Sequence, residues 1–212
     1  SGALCDAWAA KDDRVTVIHQ DDLGVSGARN SGLAAADSEF IVFLDSDDAL
    51  RLGALQAALT AQRAAPQDFV GWHYTTDATD PAPVTADAEP RPQASLARLW
   101  LDCLLAMPWN KLYRADLAKQ LQFDVQYPLG EDLQFVLDYI ALLGQTVPEF
   151  GYRVMTSPLT FYDCSRGGTL STRYHANYCD IWPKHFAKLN AACHAAACPA
   201  EDMRPLHRAE LQ

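Results

Sequence analysis

Three carboxylates stand within four residues at Asp45-Ser46-Asp47-Asp48, directly behind the apolar run Phe40 to Leu44. Carboxylates packed this closely repel one another unless something cationic lies among them, and no Lys or Arg follows before Arg51. A hard divalent cation, Mg²⁺ or Mn²⁺, held together with a phosphate, suits such an all-oxygen donor set. The same residues also suit an ordinary turn, with Asp48 capping the helix that follows. The four residues alone do not separate these readings.

Three further constellations offer chemistry. Gly24-Val25-Ser26-Gly27-Ala28-Arg29-Asn30 opens a small-residue helix with Arg29 and Asn30 in its first turn. That arrangement fits a phosphate or nucleotide at a helix N-terminus, and equally a tightly packed helix whose Arg29 meets a neighbouring carboxylate. Glu131 and Asp132 follow Gly130. Acids there complement a helix dipole, and Asp132 also suits a general base that accepts a proton from an attacking hydroxyl. In Trp109-Asn110-Lys111, Lys111 fits a phosphate contact and Trp109 a ring to stack on, or both are half-buried strand residues. The six histidines make no HxxxH or HxH pair, and only His175, behind the Gly-rich turn Arg166-Gly167-Gly168, is kept as a metal or diphosphate candidate.

The elements that must position these groups alternate. A helix over Ser1 to Asp13 precedes a strand at Arg14 to His19. A helix at about Gly27 to Ala36, the strand Phe40 to Leu44, a helix at about Leu52 to Ala64 and the strand Phe69 to Thr75 follow. Asp77 to Pro92, with four prolines, reads as an exposed mobile loop. Beyond it come a helix over Leu96 to Ala106, a strand at Trp109 to Tyr113, a helix at Arg114 to Leu121 and a helix at Leu133 to Leu143. Two strand-like pieces, Tyr152 to Thr156 and Leu159 to Tyr162, precede a helical tail at about Tyr178 to Ala197. Strand–helix alternation predicts an α/β fold with a mostly parallel sheet flanked by helices. Ligands in such sheets bind beyond the carboxyl ends of the strands, where the acidic turn stands.

Composition narrows the function. The chain has 212 residues with 49% hydrophobic content, enough for one full core. Its net charge of −10 argues against a nucleic-acid partner, which calls for a basic face. No stretch reaches the roughly 20 apolar residues of a membrane span, so the expected location is cytoplasmic or peripheral to the inner membrane face. The six cysteines contain no CxxC pair and read as free thiols.

In order along the chain, VTVIHQDDLGVSGARNSGLAAADSEFIVFLDSDD, WNKLYR, LGEDLQF and FYDCSRGGTLSTRY resemble the family 2 inverting glycosyltransferases of the GT-A fold, especially bacterial members that build exopolysaccharide. The resemblance covers about residues 1–175, as the transferase domain, with 176–212 as a helical tail. It implies a nucleotide-diphosphate sugar donor, a UDP-sugar by analogy, and a saccharide or lipid-linked acceptor. By the same likeness, Asp47 is the principal ligand of a Mn²⁺ or Mg²⁺ cofactor, Asp45 contacts ribose or the ion, and Asp48 supports them. Asp132 would be the base, with Glu131 beside it in the acceptor site. Arg29 and Asn30, and Lys111 from WNK, would lie at the donor.

Family members open with a strand of the type VSVIIPVYN, a helix, and a strand ending in DDGSTD, whereas this chain opens at SGALCDAW. The expectation is a domain incomplete at its N-terminus, with apolar sheet edges exposed through which a dimer would pair. The competing expectation is a GT-A scaffold that no longer catalyses and serves as an assembly module.

Overall fold

The computed structural model describes residues 1–127, 129–164 and 178–210. The Gly-rich turn and His175 lie outside the described residues.

The element order is α1 (Gly2–Ala9), α2 (Gly24–Ala35), β1 (Phe40–Ile41), β2 (Ala49–Leu50), α3 (Ala54–Ala64), β3 (Phe69–Thr75) and β4 (Ala88–Arg91). After a short 3₁₀ turn come α4 (Leu96–Leu101), β5 (Lys111–Arg114), α5 (Ala115–Ala118), α6 (Glu131–Thr146), β6 (Tyr152–Phe161), α7 (Tyr178–Ala195) and α8 (Ala200–Glu210). The strands form one sheet in the order β1-β5-β3-β6-β2, with β4 also on β6.

Side chains alternate across a strand, and here the alternation divides the core into two layers. Phe69, Tyr113, Tyr152 and Val154 point to the face covered by α4, α6, α7 and α8, where Leu96, Phe135, Leu189 and Leu206 close the larger core. Val70, Trp72, Leu112 and Met155 point to the other face, against Ala54, Ala58 and Ala61 of α3. Small alanines let α3 lie close to the sheet. Trp72 satisfies its buried indole N–H on Thr160 Oγ1, 2.8 Å away. The two C-terminal helices contribute Phe186, Leu189, Cys193, Met203 and Leu206 to the same core as the sheet, so they pack as part of it.

The α/β architecture is as expected, but the mostly parallel sheet is not. Among the described residues only β3 and β6 pair in parallel; β1 with β5, β2 with β6, β3 with β5 and β4 with β6 are antiparallel. Residues Arg14 to His19 form no strand. Val15 and Ile18 are exposed, and a β-branched segment without a ladder partner cannot become a strand by propensity alone. The apolar run 40–44 pairs with β5 only through Phe40 and Ile41. Within the supposed loop 77–92, Ala88–Arg91 is a strand, with Pro90 tolerated because β4 pairs on one side only. The two pieces 152–156 and 159–162 are one strand, β6, whose register against β3 shifts between Trp72 and Tyr74. Among the described residues no helix is long and apolar enough to cross a membrane.

Candidate active site

The acidic turn, α2 and the start of α6 meet in one cleft of about 1140 Å³; α2 begins at Gly24, earlier than expected, so Arg29 lies in its second turn and not its first. Its wall includes Asp45, Asp47, Arg29, Glu131 and Asp132, together with Trp100, Trp109, Tyr162 and Trp182.

Arg29 is the cation that the crowded acids require. Its side chain is 10% exposed, with Nη2 donating to Asp45 Oδ1 at 3.0 Å. Nη1 donates to Asp132 Oδ1 and lies 3.4 Å from Glu131 Oε1. The guanidinium carbon stands 5.2 Å from the Phe123 ring centre, a cation–π contact. Burial alone would lower the Arg29 pKa, but Asp132, Asp45 and Glu131 outweigh it and the net shift is upward. Of the two expectations for α2, the structure shows the one in which Arg29 is held by neighbouring carboxylates.

The acidic turn divides its labour. Asp45 is engaged by Arg29. Asp47 makes no hydrogen bond or ion pair among the described residues, and it lines the cleft. Asp48 does not cap a helix: α3 begins at Ala54 behind Gly53, whose φ is +84°. Instead Asp48 Oδ1 accepts the backbone N–H of Asp163 at 3.1 Å, while Oδ2 is buried without a hydrogen-bond partner among the described residues. Burial raises the Asp48 pKa, and Asp45 and Asp47 add to this against the Asp163 hydrogen bond.

Among the described residues no group of three acidic, histidine or cysteine side chains converges to hold a metal. Mg²⁺-type ions are more often held by one or two carboxylates with substrate phosphates supplying further oxygens. The uncommitted carboxylate of Asp47 fits that smaller role.

Glu131 and Asp132 open α6 behind Gly130, whose φ is +84°, a conformation that favours glycine. Burial, above all, pushes the Asp132 carboxyl up to about 7; Arg29 opposes this, whereas Glu131 and Asp45 add to it. A carboxyl poised near neutral pH has the acidity that general-base work favours.

Two residues expected at the donor are committed elsewhere. Asn30 clamps the backbone of Phe123, donating from Nδ2 to its carbonyl at 2.8 Å and accepting its N–H at 2.7 Å. Lys111 is 3% exposed; its Nζ donates to the Met107 carbonyl at 2.5 Å and to Asn110 Oδ1 at 2.6 Å. Its side chain lies inside the fold, on a strand whose residues 111–113 are all buried, and burial drives its pKa well below the ordinary lysine value. Trp109 does reach the cleft wall, stacked on Tyr162 at 5.5 Å and 16°. Sequence reading missed Trp100, Tyr162 and Trp182, because their common wall joins α4, the strand end after β6, and α7.

This architecture, with an acidic turn behind an early strand and an acid pair opening a later helix, is that of the GT-A fold. Residues 1–122 match the family described as Glycosyl transferase family 2, and the chain belongs to that family. It is 29% identical over 147 residues to the uncharacterized glycosyltransferase EpsJ of Bacillus subtilis, covering 65% of this chain and 43% of that protein. It is 28% identical over 142 residues to the putative glycosyltransferase EpsH of the same organism, covering 64% and 40%. A segment of 38 residues is 58% identical to the succinoglycan biosynthesis protein ExoW of Rhizobium meliloti, covering 17% of this chain and 12% of that protein. The chain thus spans less than half the length of these relatives. The fold resembles S. aureus TarS 1-349 in complex with UDP-GlcNAc, with TM-score 0.65 and 16% identity over 91% of this chain and 54% of that one.

Proposed function

We propose that this protein transfers a sugar from a nucleotide-diphosphate sugar to a saccharide or lipid-linked acceptor in polysaccharide biosynthesis, with inversion at the anomeric carbon. One observation carries the reading: Arg29 draws Asp45 of the acidic turn and Asp132 of α6 into one cleft. A donor end and an acceptor end are thereby side by side. The structural likeness to TarS bound to UDP-GlcNAc supports a UDP-sugar donor.

In the reaction, the acceptor hydroxyl oxygen bonds to the anomeric carbon as the bond from that carbon to the diphosphate oxygen breaks. The leaving diphosphate keeps the electron pair, and Asp132 takes the hydroxyl proton. Asp132 must be ionised to do so, and Arg29 stabilises that form. Asp47, with Asp45 beside it, would hold Mn²⁺ or Mg²⁺, which supplies positive charge to the diphosphate when bound. Trp100 and Trp182 give the cleft apolar faces suited to a sugar ring.

UDP with Mn²⁺ is expected to raise the melting temperature, and Asp47→Ala to abolish the rise. A wild-type melting curve unmoved by UDP and Mn²⁺ rules out donor binding by this chain.

The second reading, a non-catalytic assembly module, is favoured by one observation. Leu4, Trp8 and Ile18 are 66%, 56% and 47% exposed on the N-terminal segment, apolar side chains that a partner surface would cover. A stable dimer in gel filtration, without affinity for UDP, would select it.

A further inference from the structure

His185 of α7 is 1% exposed and takes no part in the chemistry above. Its Nε2 lies 3.1 Å from the Leu129 carbonyl, and its Nδ1 lies 2.6 Å from Gln134 Nε2. A carbonyl only accepts and an amide nitrogen only donates, so Nε2 carries the proton and Nδ1 receives the Gln134 hydrogen bond. The ring is therefore neutral in one tautomer. Burial lowers its pKa in keeping with this; Lys188 acts the same way, against the Leu129 hydrogen bond and Glu131.

The three residues it braces surround the acid pair. Leu129 and Gly130 lead into Glu131 and Asp132, and Gln134 follows them on the same helix, its backbone N–H bonded to the Gly130 carbonyl at 3.2 Å. A Cβ on residue 130 would stand 2.4 Å from His185 Nε2, so the imidazole occupies the space that glycine leaves open. One turn further along both helices, Lys188 pairs with Asp138 at 2.7 Å and extends the contact. On the preceding turn of α7, Trp182 reaches the cleft wall.

We propose that His185 is a positioning residue: with Gly130 it pins the entry of α6 and holds Glu131 and Asp132 against Arg29 at the cleft. The claim rests on the reading of Asp132 as the base. The bond to the Leu129 carbonyl fixes the backbone ahead of the pair, and the bond to the Gln134 side-chain amide ties the helix behind it, leaving the carboxylates little freedom to turn away. Loosening the entry admits water, and the burial that raises Asp132 is lost.

The test compares wild type, His185→Ala and His185→Gln by ¹³C NMR with labelled aspartate carboxyls, the Asp132 signal being identified by its loss in Asp132→Asn. In wild type Asp132 is expected to titrate at about 7. His185→Ala is expected to lower that midpoint by about one pH unit or more, a displacement that general loss of stability would not produce in a folded protein. His185→Gln, whose amide can donate to Leu129, is expected to recover most of the shift. Should His185→Ala fail to fold, Gln134→Leu, which removes only the bond to Nδ1, is read in the same way. A folded His185→Ala or Gln134→Leu protein with an unchanged Asp132 midpoint overturns the proposal. This readout needs no donor, so a failure of UDP binding and a failure of His185 to position the pair are recorded separately.

Discussion

Arg29 and Asp132, 103 residues apart in the chain, form an ion pair at the cleft, and the same guanidinium holds Asp45. Removing one partner of a buried network leaves the others as uncompensated charge, which costs several kcal/mol when burial is complete. Asp45 and Asp132 are 34% and 31% exposed, so solvent screens part of that cost. Arg29→Gln is expected to destabilise by about 2 kcal/mol, a fall of about 4–8 °C in melting temperature for a chain of this size. Because Arg29 lowers the Asp132 pKa, the variant should also titrate Asp132 at higher pH. Calorimetry and carboxyl NMR check the two effects, and an unchanged melting temperature contradicts the first.

The Asp132 pKa gives stability a definite pH dependence. The folded value of about 7 lies above the unfolded carboxylate value of about 4. The folded state therefore binds more protons between these limits, and stability falls as pH rises through that window. Asp132→Asn, which cannot ionise, should flatten the slope between about pH 4 and 7 and abolish transfer. In wild type the transfer rate should climb with pH through about 7 and then level, as the ionised base becomes fully populated. Urea denaturation across this range and a pH–rate profile test each limb.

Lys111 lies inside the fold rather than in the cleft. Lys111→Met removes two hydrogen bonds but also the cost of burying an ammonium group, and these oppose one another within about 1–3 kcal/mol. The expected outcome is a folded protein whose UDP–Mn²⁺ melting shift equals that of wild type. A lost shift would return Lys111 to the donor site.

Asn30 acts on the site at one remove. It holds both backbone groups of Phe123, whose ring lies beneath the Arg29 guanidinium. Asn30→Ala should cost about 1–3 kcal/mol through the two bonds it breaks. A clean loss of stability with unaltered Asp132 titration would show that the clamp does not reach Arg29; the expected result is that both change.

The local features legible in the sequence were those that depend on near neighbours. The run Phe69 to Thr75 became β3 over those same residues, because alternating and β-branched residues state a strand wherever a partner exists. Asp47 and Asp132 stood out as acids at element ends, and both line the cleft. Arg14 to His19 carried an equally clear strand pattern and made no strand, since a ladder needs a partner that the pattern itself cannot supply. Lys111 beside Trp109 looked like a neighbour in the site. Residues 111–113 of β5 are all buried, because both faces of the sheet are covered, and Lys111 is held on the Met107 carbonyl instead.

By itself the sequence determined the family, through four motifs in a fixed order, and it named the acids on which the chemistry turns. Tertiary structure alone decided what stands between those acids. Residues 29, 45 and 132 meet only after α2, the strand before the acidic turn and α6 have packed on the sheet. Only then does Arg29 become the cation in the carboxylate cluster. The same holds for His185, an isolated histidine in the chain and the brace of the acid pair in the fold. Long-range pairing and burial create both roles, and neither leaves a periodic or local trace from which it can be read.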